Sequence, residues 1–260
     1  MEEILISKAI IETYLRELSD SLELDVAIAG AGPAGMTSAY FLAKEGKRVA
    51  VFERQLKVGG GMPGGGMMFN IIVVQEGGKR ILDEFGVRTR EFGDGLYTAN
   101  ALETTSALCL GALRAGAKIF NLVSVEDVVI REEDKISGLV LNWSAVSWSK
   151  LHVDPLAVRA KVVIDATGHD SEVCRIVARK IGRRLRTPTG DVIGEKSMWS
   201  ERGEREIVEN TREIYPGLIV AGMAANAVSG SYRMGAIFGG MLISGKRASE
   251  LALERLKAGC

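Results

Sequence analysis

Apolar positions recur along the chain with two periods, and each change of period marks a change of element. Leu5, Ala9, Ile10, Tyr14 and Leu18 sit at helical spacing over residues 4–19. Residues 1–22 are therefore expected to form an amphipathic helix packed on the domain or on a neighbouring subunit. "DVAIAG" (25–30) is an unbroken apolar run of strand length. "GMTSAYFLAKEG" (35–46) returns to helical spacing and is closed by Gly46, and "RVAVFE" (48–53) is a second buried strand. This βαβ unit predicts a parallel pair of strands. A loop with six glycines between Gly59 and Gly66 comes next, then a helix over 99–116 closed by Gly116. Residues 118–143 read as strands with a turn near Asp134; "AKVVIDATG" (160–168) is a short buried strand, and "DSEVCRIVARKIG" (170–182) a helix. "GLIVAGMAA" (217–225) reads as a last strand, and 235–259 as a C-terminal helix. With no internal repeat and no linker, the pattern predicts one α/β domain over 1–260, with a parallel central sheet and an inserted β-rich segment.

Composition narrows the function classes. The chain has 33 basic and 33 acidic side chains and a formal net charge of zero. That gives no global case for nucleic acid or membrane binding. Its 31 glycines against 5 prolines point to tight turns and backbone-lined ligand sites. Cys109, Cys174 and Cys260 form no CxxC pair and no disulfide framework. Together with a mixed-charge N-terminus and no run near the roughly 20 apolar residues of a spanning helix, this predicts a cytoplasmic protein.

The first βα turn carries the clearest chemistry. Gly30-Ala31-Gly32-Pro33-Ala34-Gly35 fits GxGxxG between a strand and a helix. Glu53 ends the second strand about 20 residues on, as a dinucleotide fingerprint requires. Gly30 permits the turn, Gly32 lets a pyrophosphate approach the backbone, and Gly35 lets helix and strand pack closely. Glu53 is placed to accept from ribose hydroxyls, and an acid there argues against a 2′-phosphate. Arg54 beside it is placed to stack on adenine or reach phosphate. "VVIDATG" belongs equally to flavoprotein relatives of this fold, so an FAD enzyme is the first reading, although 260 residues leave little room for a separate substrate domain.

His152 and His169 are the only histidines, and both lie near an aspartate within residues 151–170. On the residues alone, His169 could equally bond a backbone carbonyl at a strand end, and His152 could lie on an exposed loop. No HxxxH or CxxC spacing makes a zinc signature. Arg233 could form a surface ion pair, and Met223 could fill core. Cys109 and Cys174 fall on apolar helical faces and read as core. Arg131–Lys135, "REEDK", reads as a solvated turn.

Taken together, "GAGPAG" with "FER", "GGGMPGGGMMF", "VSVEDVV", "HVDP", "DATGHD", "AGMAAN" and "YRMGAIFGGMLISG" resemble the ADP-thiazole synthase family of thiamine biosynthesis, in its archaeal, sulfide-dependent form. The resemblance covers nearly the whole chain. It implies a flavoprotein-like dinucleotide fold that consumes NAD as a substrate. Nicotinamide is lost, the ADP-ribose opens and isomerises to a ketone, the ketone condenses with glycine, sulfur enters, and ring closure gives an ADP-linked thiazole carboxylate. Eukaryotic members surrender the sulfur of a cysteine in the "xDP" motif. Here that position is His152, which implies free sulfide, several turnovers and Fe(II). Carried over residue by residue, Asp154 and His169 would ligate the iron, and His152 would stand near it as a candidate acid or base. Val153, Gly61, Met223 and the main chain of Val125 would contact the nucleotide, and Arg233 would grip the glycine-derived carboxylate. Residues 161–165 form a strand between Asp154 and His169, so the two would meet across a subunit interface; the resemblance implies a ring of eight copies. Three rivals predict differently: a small flavin oxidoreductase would be yellow, a ribose-1,5-bisphosphate isomerase would need neither metal nor sulfide, and a module that only senses NAD would leave Asp154 and His169 idle.

Overall fold

The computed structural model describes residues 2–131 and 134–259. Helix α1 (Glu3–Asp20) leads into strand β1 (Glu23–Ala29), helix α2 (Pro33–Lys44) and strand β2 (Val49–Glu53). Beyond the glycine-rich loop come β3 (Ile71–Gln75), α3 (Glu76–Glu84), β4 (Thr89–Gly93), β5 (Leu96–Asn100) and α4 (Ala101–Ala115). They are followed by β6 (Lys118–Asn121), a hairpin of β7 (Val123–Arg131) and β8 (Lys135–Trp143), the short α5 (Ser144–Trp148), β9 (Leu156–Asp165) and α6 (Glu172–Lys180). The last part holds β10 (Lys196–Met198), α7 (Ser200–Asn210), β11 (Arg212–Tyr215), β12 (Leu218–Val220), α8 (Met223–Ser229), β13 (Tyr232–Arg233) and α9 (Gly239–Lys257).

Five parallel strands, in the order β6-β2-β1-β9-β12, form the centre of one eight-stranded sheet. β1 lies in the middle, with Ile28 opposite Val51 and Ile164. Side chains alternate across a strand. Val26 and Ile28 therefore join one core with residues of α2, α4 and α9, while Ala27 and Ala29 join a second core with α6, α8 and the β7–β8 hairpin. Burial on both faces is why β1 reads as a continuous apolar run. The hairpin is the expected β-rich insertion. It joins the sheet through β8, antiparallel to the first half of β9, while β12 pairs with Val163–Asp165 at the other end of that strand.

Three expectations need correction. β9 begins at Leu156, because Leu156–Arg159 find partners in β8. The last strand of the parallel set stops at Val220: Gly222 takes a φ of +66° and Met223 opens α8. The C-terminal helix starts at Gly239, four residues late. Helix α1 forms as expected, but it buries no residue. Leu18 packs on the second core and Tyr14 meets Phe120 edge-on at 6.0 Å, while Ile4, Leu5, Ile10 and Leu15 remain exposed. A further antiparallel sheet, β3-β5-β4, was not legible, because only Ile72, Val74 and Ala99 of its residues are buried. Arg131 and Asp134 are exposed, as a solvated turn requires; Glu132 and Glu133, like Cys260, lie outside the described residues. Among the described residues, no helix is long and apolar enough to cross a membrane.

Candidate functional site

A cavity of about 710 Å³ opens beyond the C-terminal ends of β1, β2 and β9. This is where open α/β sheets bind ligands, and the volume suits a small-molecule site. The glycine turn forms one wall. Gly30 has a φ of +95°, and a Cβ on it would sit 2.5 Å from the Ala166 carbonyl oxygen. A Cβ on Gly35 would fall 2.0 Å from the Gly30 oxygen, so α2 can approach β1 only with glycine there. A Cβ on Gly32 would meet no atom within 4 Å, and Gly32 and Ala34 line the cavity where α2 presents its N-terminus. The wall is thus tight against protein at two glycines and open to a ligand at the third.

Glu53 is buried at the end of β2. Its Oε2 accepts from the Ala31 N–H and its Oε1 from the Gln55 N–H, each at 2.8 Å. These charge-assisted bonds offset the burial of the carboxylate and tie the strand end to the glycine turn. Each oxygen keeps acceptor capacity, and Glu53 lines the cavity. Arg54 lines it too, but its guanidinium lies 2.7 Å from Asp170 and 3.7 Å from Glu172. It therefore bridges β2 to the turn that carries His169, a role the sequence reading did not foresee. Glu172 also faces the cavity; burial pushes its carboxyl above the usual range, against the pull of Arg54.

Gly61, Val125, Met223 and Arg233 all line the same cavity. A register shift just after Val125 interrupts the β7–β8 ladder beside it. Arg233, on β13, is exposed on the cavity and forms no ion pair with a described residue. An unpaired guanidinium at a cavity wall is a ready carboxylate or phosphate receptor.

His169 sits on a 3-10 turn, Gly168–Asp170, and faces the cavity. The turn is set by Asp165, which is fully buried. Its carboxylate accepts from the Thr167 N–H at 3.1 Å, the Thr167 hydroxyl at 2.6 Å and the Cys174 N–H at 2.9 Å. That clamp joins the end of β9 to the first turn of α6. The His169 Nδ1 lies 2.7 Å from Glu195 Oε1. A carboxylate accepts, so Nδ1–H is the donor in this pair, and in the neutral ring that tautomer carries its lone pair on Nε2.

His152, Val153 and Asp154 do not line this cavity. They are exposed on the segment before β9, where Asn142 Nδ2 donates to the Val153 carbonyl at 3.0 Å. The ten residues of β9 separate Asp154 from His169, a span of about 30 Å at the usual strand rise. Neither His152 nor Asp154 has a hydrogen bond or ion pair to a described residue, and no cluster of three His, Cys, Asp or Glu among the described residues could hold a metal. One chain therefore does not assemble the expected ligand pair. The donor types do fit Fe(II) if a second copy brings its Asp154 to His169: one imidazole nitrogen, one carboxylate and open positions. Trp143, Trp148 and Leu151, upstream of Asp154 in the chain, are exposed, as are Met67, which lines the cavity, and its chain neighbours Met68 and Phe69.

Cys174 is fully buried and Cys109 half-buried, and burial pushes both thiols up, Cys174 well above its usual value. Neither lines the cavity. Glu195 escaped the sequence reading because it stands 26 residues from the histidine it holds and belongs to no motif.

The Thi4 family model matches residues 7–238. The thiamine thiazole synthase of Methanothermobacter thermautotrophicus is 58% identical over 257 residues, covering 99% of both chains. That of Pyrococcus abyssi is 53% identical over 256 residues, covering 98% of this chain and 99% of its own. The crystal structure of THI4 from Thermovibrio ammonificans superposes with a TM-score of 0.97 at 51% identity, over 99% of each chain. A geranylgeranyl bacteriochlorophyll reductase-like protein from Thermoplasma acidophilum shares the fold alone, at 16% identity and a TM-score of 0.56 over 91% of this chain and 79% of its own.

Proposed function

The chain belongs to the Thi4 family and acts in thiamine thiazole synthesis, and from that premise we propose that it makes an ADP-linked thiazole carboxylate from NAD, glycine and free sulfide, with Fe(II), over many turnovers. One observation carries this reading: the glycine turn with Glu53, the turn holding His169, and the unpaired Arg233 line a single cavity. A dinucleotide-binding end and a carboxylate-binding group thus flank one possible metal donor.

Each residue has a physical task. Gly32 and the N-terminus of α2 receive the pyrophosphate, and Glu53 accepts from the adenosine ribose hydroxyls. The main chain of Val125, with Gly61, Ala34 and Met223, encloses the nucleotide. Arg233 orients the carboxylate of glycine by a two-pronged contact. His169 and Asp154 of a neighbouring copy would hold Fe(II). When bound, the ion supplies positive charge that acidifies hydrogen sulfide and orients it. His152, two residues from Asp154, moves protons in the water-losing steps, for which an imidazole is suited near neutral pH. The high-pKa, cavity-remote Cys109 and Cys174 support an external sulfur source.

The test is anaerobic incubation with Fe(II), NAD, glycine and sulfide, followed by mass spectrometry of the small molecules. The expected result is an adenylated thiazole carboxylate in excess over protein. Product no greater than the protein present would overturn multiple turnovers. Unaltered NAD with no nicotinamide released would overturn the substrate assignment.

A further inference from the structure

We infer that Glu195 is a positioning residue for metal binding: it fixes the His169 ring so that Nε2 alone is presented to the cavity. The inference rests on the proposed role of His169 as a metal donor. Geometry carries it. Glu195 Oε1 is 2.7 Å from His169 Nδ1, and the Glu195 side chain is only 16% exposed. His169 lines the cavity and Glu195 does not, so the carboxylate occupies Nδ1 without itself standing in the lining. No lysine or arginine among the described residues pairs with it, so its hydrogen-bonding capacity is directed at the imidazole.

The backbone on both sides of Glu195 is tied down. The Gly194 N–H donates to the Ala227 carbonyl at 2.8 Å, and the Lys196 N–H to the Ser231 carbonyl at 2.9 Å. Asp165 holds the other partner by clamping the turn beneath His169. Two independently anchored segments thus meet at one hydrogen bond. An exposed His–carboxylate pair would be worth little as a stability device. As an orienting contact it is worth more, because a carboxylate bonded to a ligating imidazole fixes the ring's orientation and tautomer; loss of such a partner typically weakens metal binding about 10- to 100-fold.

The test is Co(II) titration of the purified, metal-free full-length protein, followed by visible absorption, with His169→Ala, Glu195→Ala and Glu195→Gln beside the parent. Glutamine keeps an acceptor for Nδ1–H, and alanine does not. The expected result is loss of the Co(II) spectrum in His169→Ala, binding weakened about 10- to 100-fold in Glu195→Ala, and recovery to within a few-fold in Glu195→Gln, with all four proteins melting alike. Parent-like affinity in Glu195→Ala, while His169→Ala loses the metal, would overturn the positioning role and leave the metal reading standing. Equal losses in Glu195→Ala and Glu195→Gln would also overturn it. Parent-like Co(II) binding in His169→Ala would overturn the metal reading itself.

Discussion

At the residue scale, the three glycines of the βα turn separate folding from binding. Gly35→Ala puts a methyl 2.0 Å from a backbone oxygen, and such overpacking should lower unfolding free energy by at least about 2 kcal/mol. Gly32→Ala meets nothing in the protein. It should melt like the parent yet bind NAD at least about tenfold more weakly, because the methyl occupies the face a pyrophosphate must approach. Calorimetric melting and NAD titration of the two variants check both halves; parallel behaviour of the two would contradict them. Glu53→Gln offers one good acceptor where the carboxylate offers two to the Ala31 and Gln55 N–H groups. It should cost about 1–3 kcal/mol, seen as a lower denaturant midpoint. The glycine spacing, Glu53 and the histidines with their neighbouring aspartates were legible from types and distances along the chain. The pairing of Arg54 with Asp170, and of His169 with Glu195, was not: each joins residues 116 or 26 positions apart through the fold.

At the element scale, long apolar or periodic segments declared themselves, and marginal ones did not. β1, β2, α2 and α4 have the burial their patterns promise. β4 and β10 have no buried residue, and nothing in their sequence distinguishes them from loops. "GLIVAGMAA" misled because a strand and a helix N-terminus share one apolar run. Helix α7 holds a feature with a measurable consequence. Glu204 is buried against the start of α9; its Oε1 accepts from the Gly240 N–H at 2.5 Å, and its Oε2 has no partner. Burial raises its pKa to about 7, opposed by the Gly240 bond. A carboxyl whose folded pKa exceeds its unfolded value favours the folded state fully at low pH and loses that contribution as pH rises through the folded value. Between pH 4.5 and a little above 7, unfolding free energy should fall by up to about 3 kcal/mol on this account. Glu204→Gln should flatten that fall in denaturant titrations across this range; an unchanged slope would contradict the assignment.

At the scale of the whole molecule, the sheet order places the glycine turn and its cavity at the C-terminal strand ends, where open α/β sheets bind ligands, and the βαβ pattern with its glycine spacing sufficed to foresee that. What the alternation could not give is assembly. β9 carries Asp154 before its first residue and His169 beyond its last, and α1 leaves Ile4, Leu5, Ile10 and Leu15 uncovered. On the proposed shared site, contacts between copies would cover such a face, so replacing Ile10 and Leu15 together by Glu should lower the assembly state in light scattering. The central claim is that one active site takes His169 from one copy and Asp154 from another. It is tested most directly by co-expressing Asp154→Ala with His169→Ala and measuring thiazole formation. Each variant alone should be inactive. Random mixing in a symmetric oligomer leaves about one quarter of sites with both side chains intact, so the mixture should recover about that fraction of parent activity. A mixture no more active than its components, with mixed oligomers shown to form, would contradict a shared site.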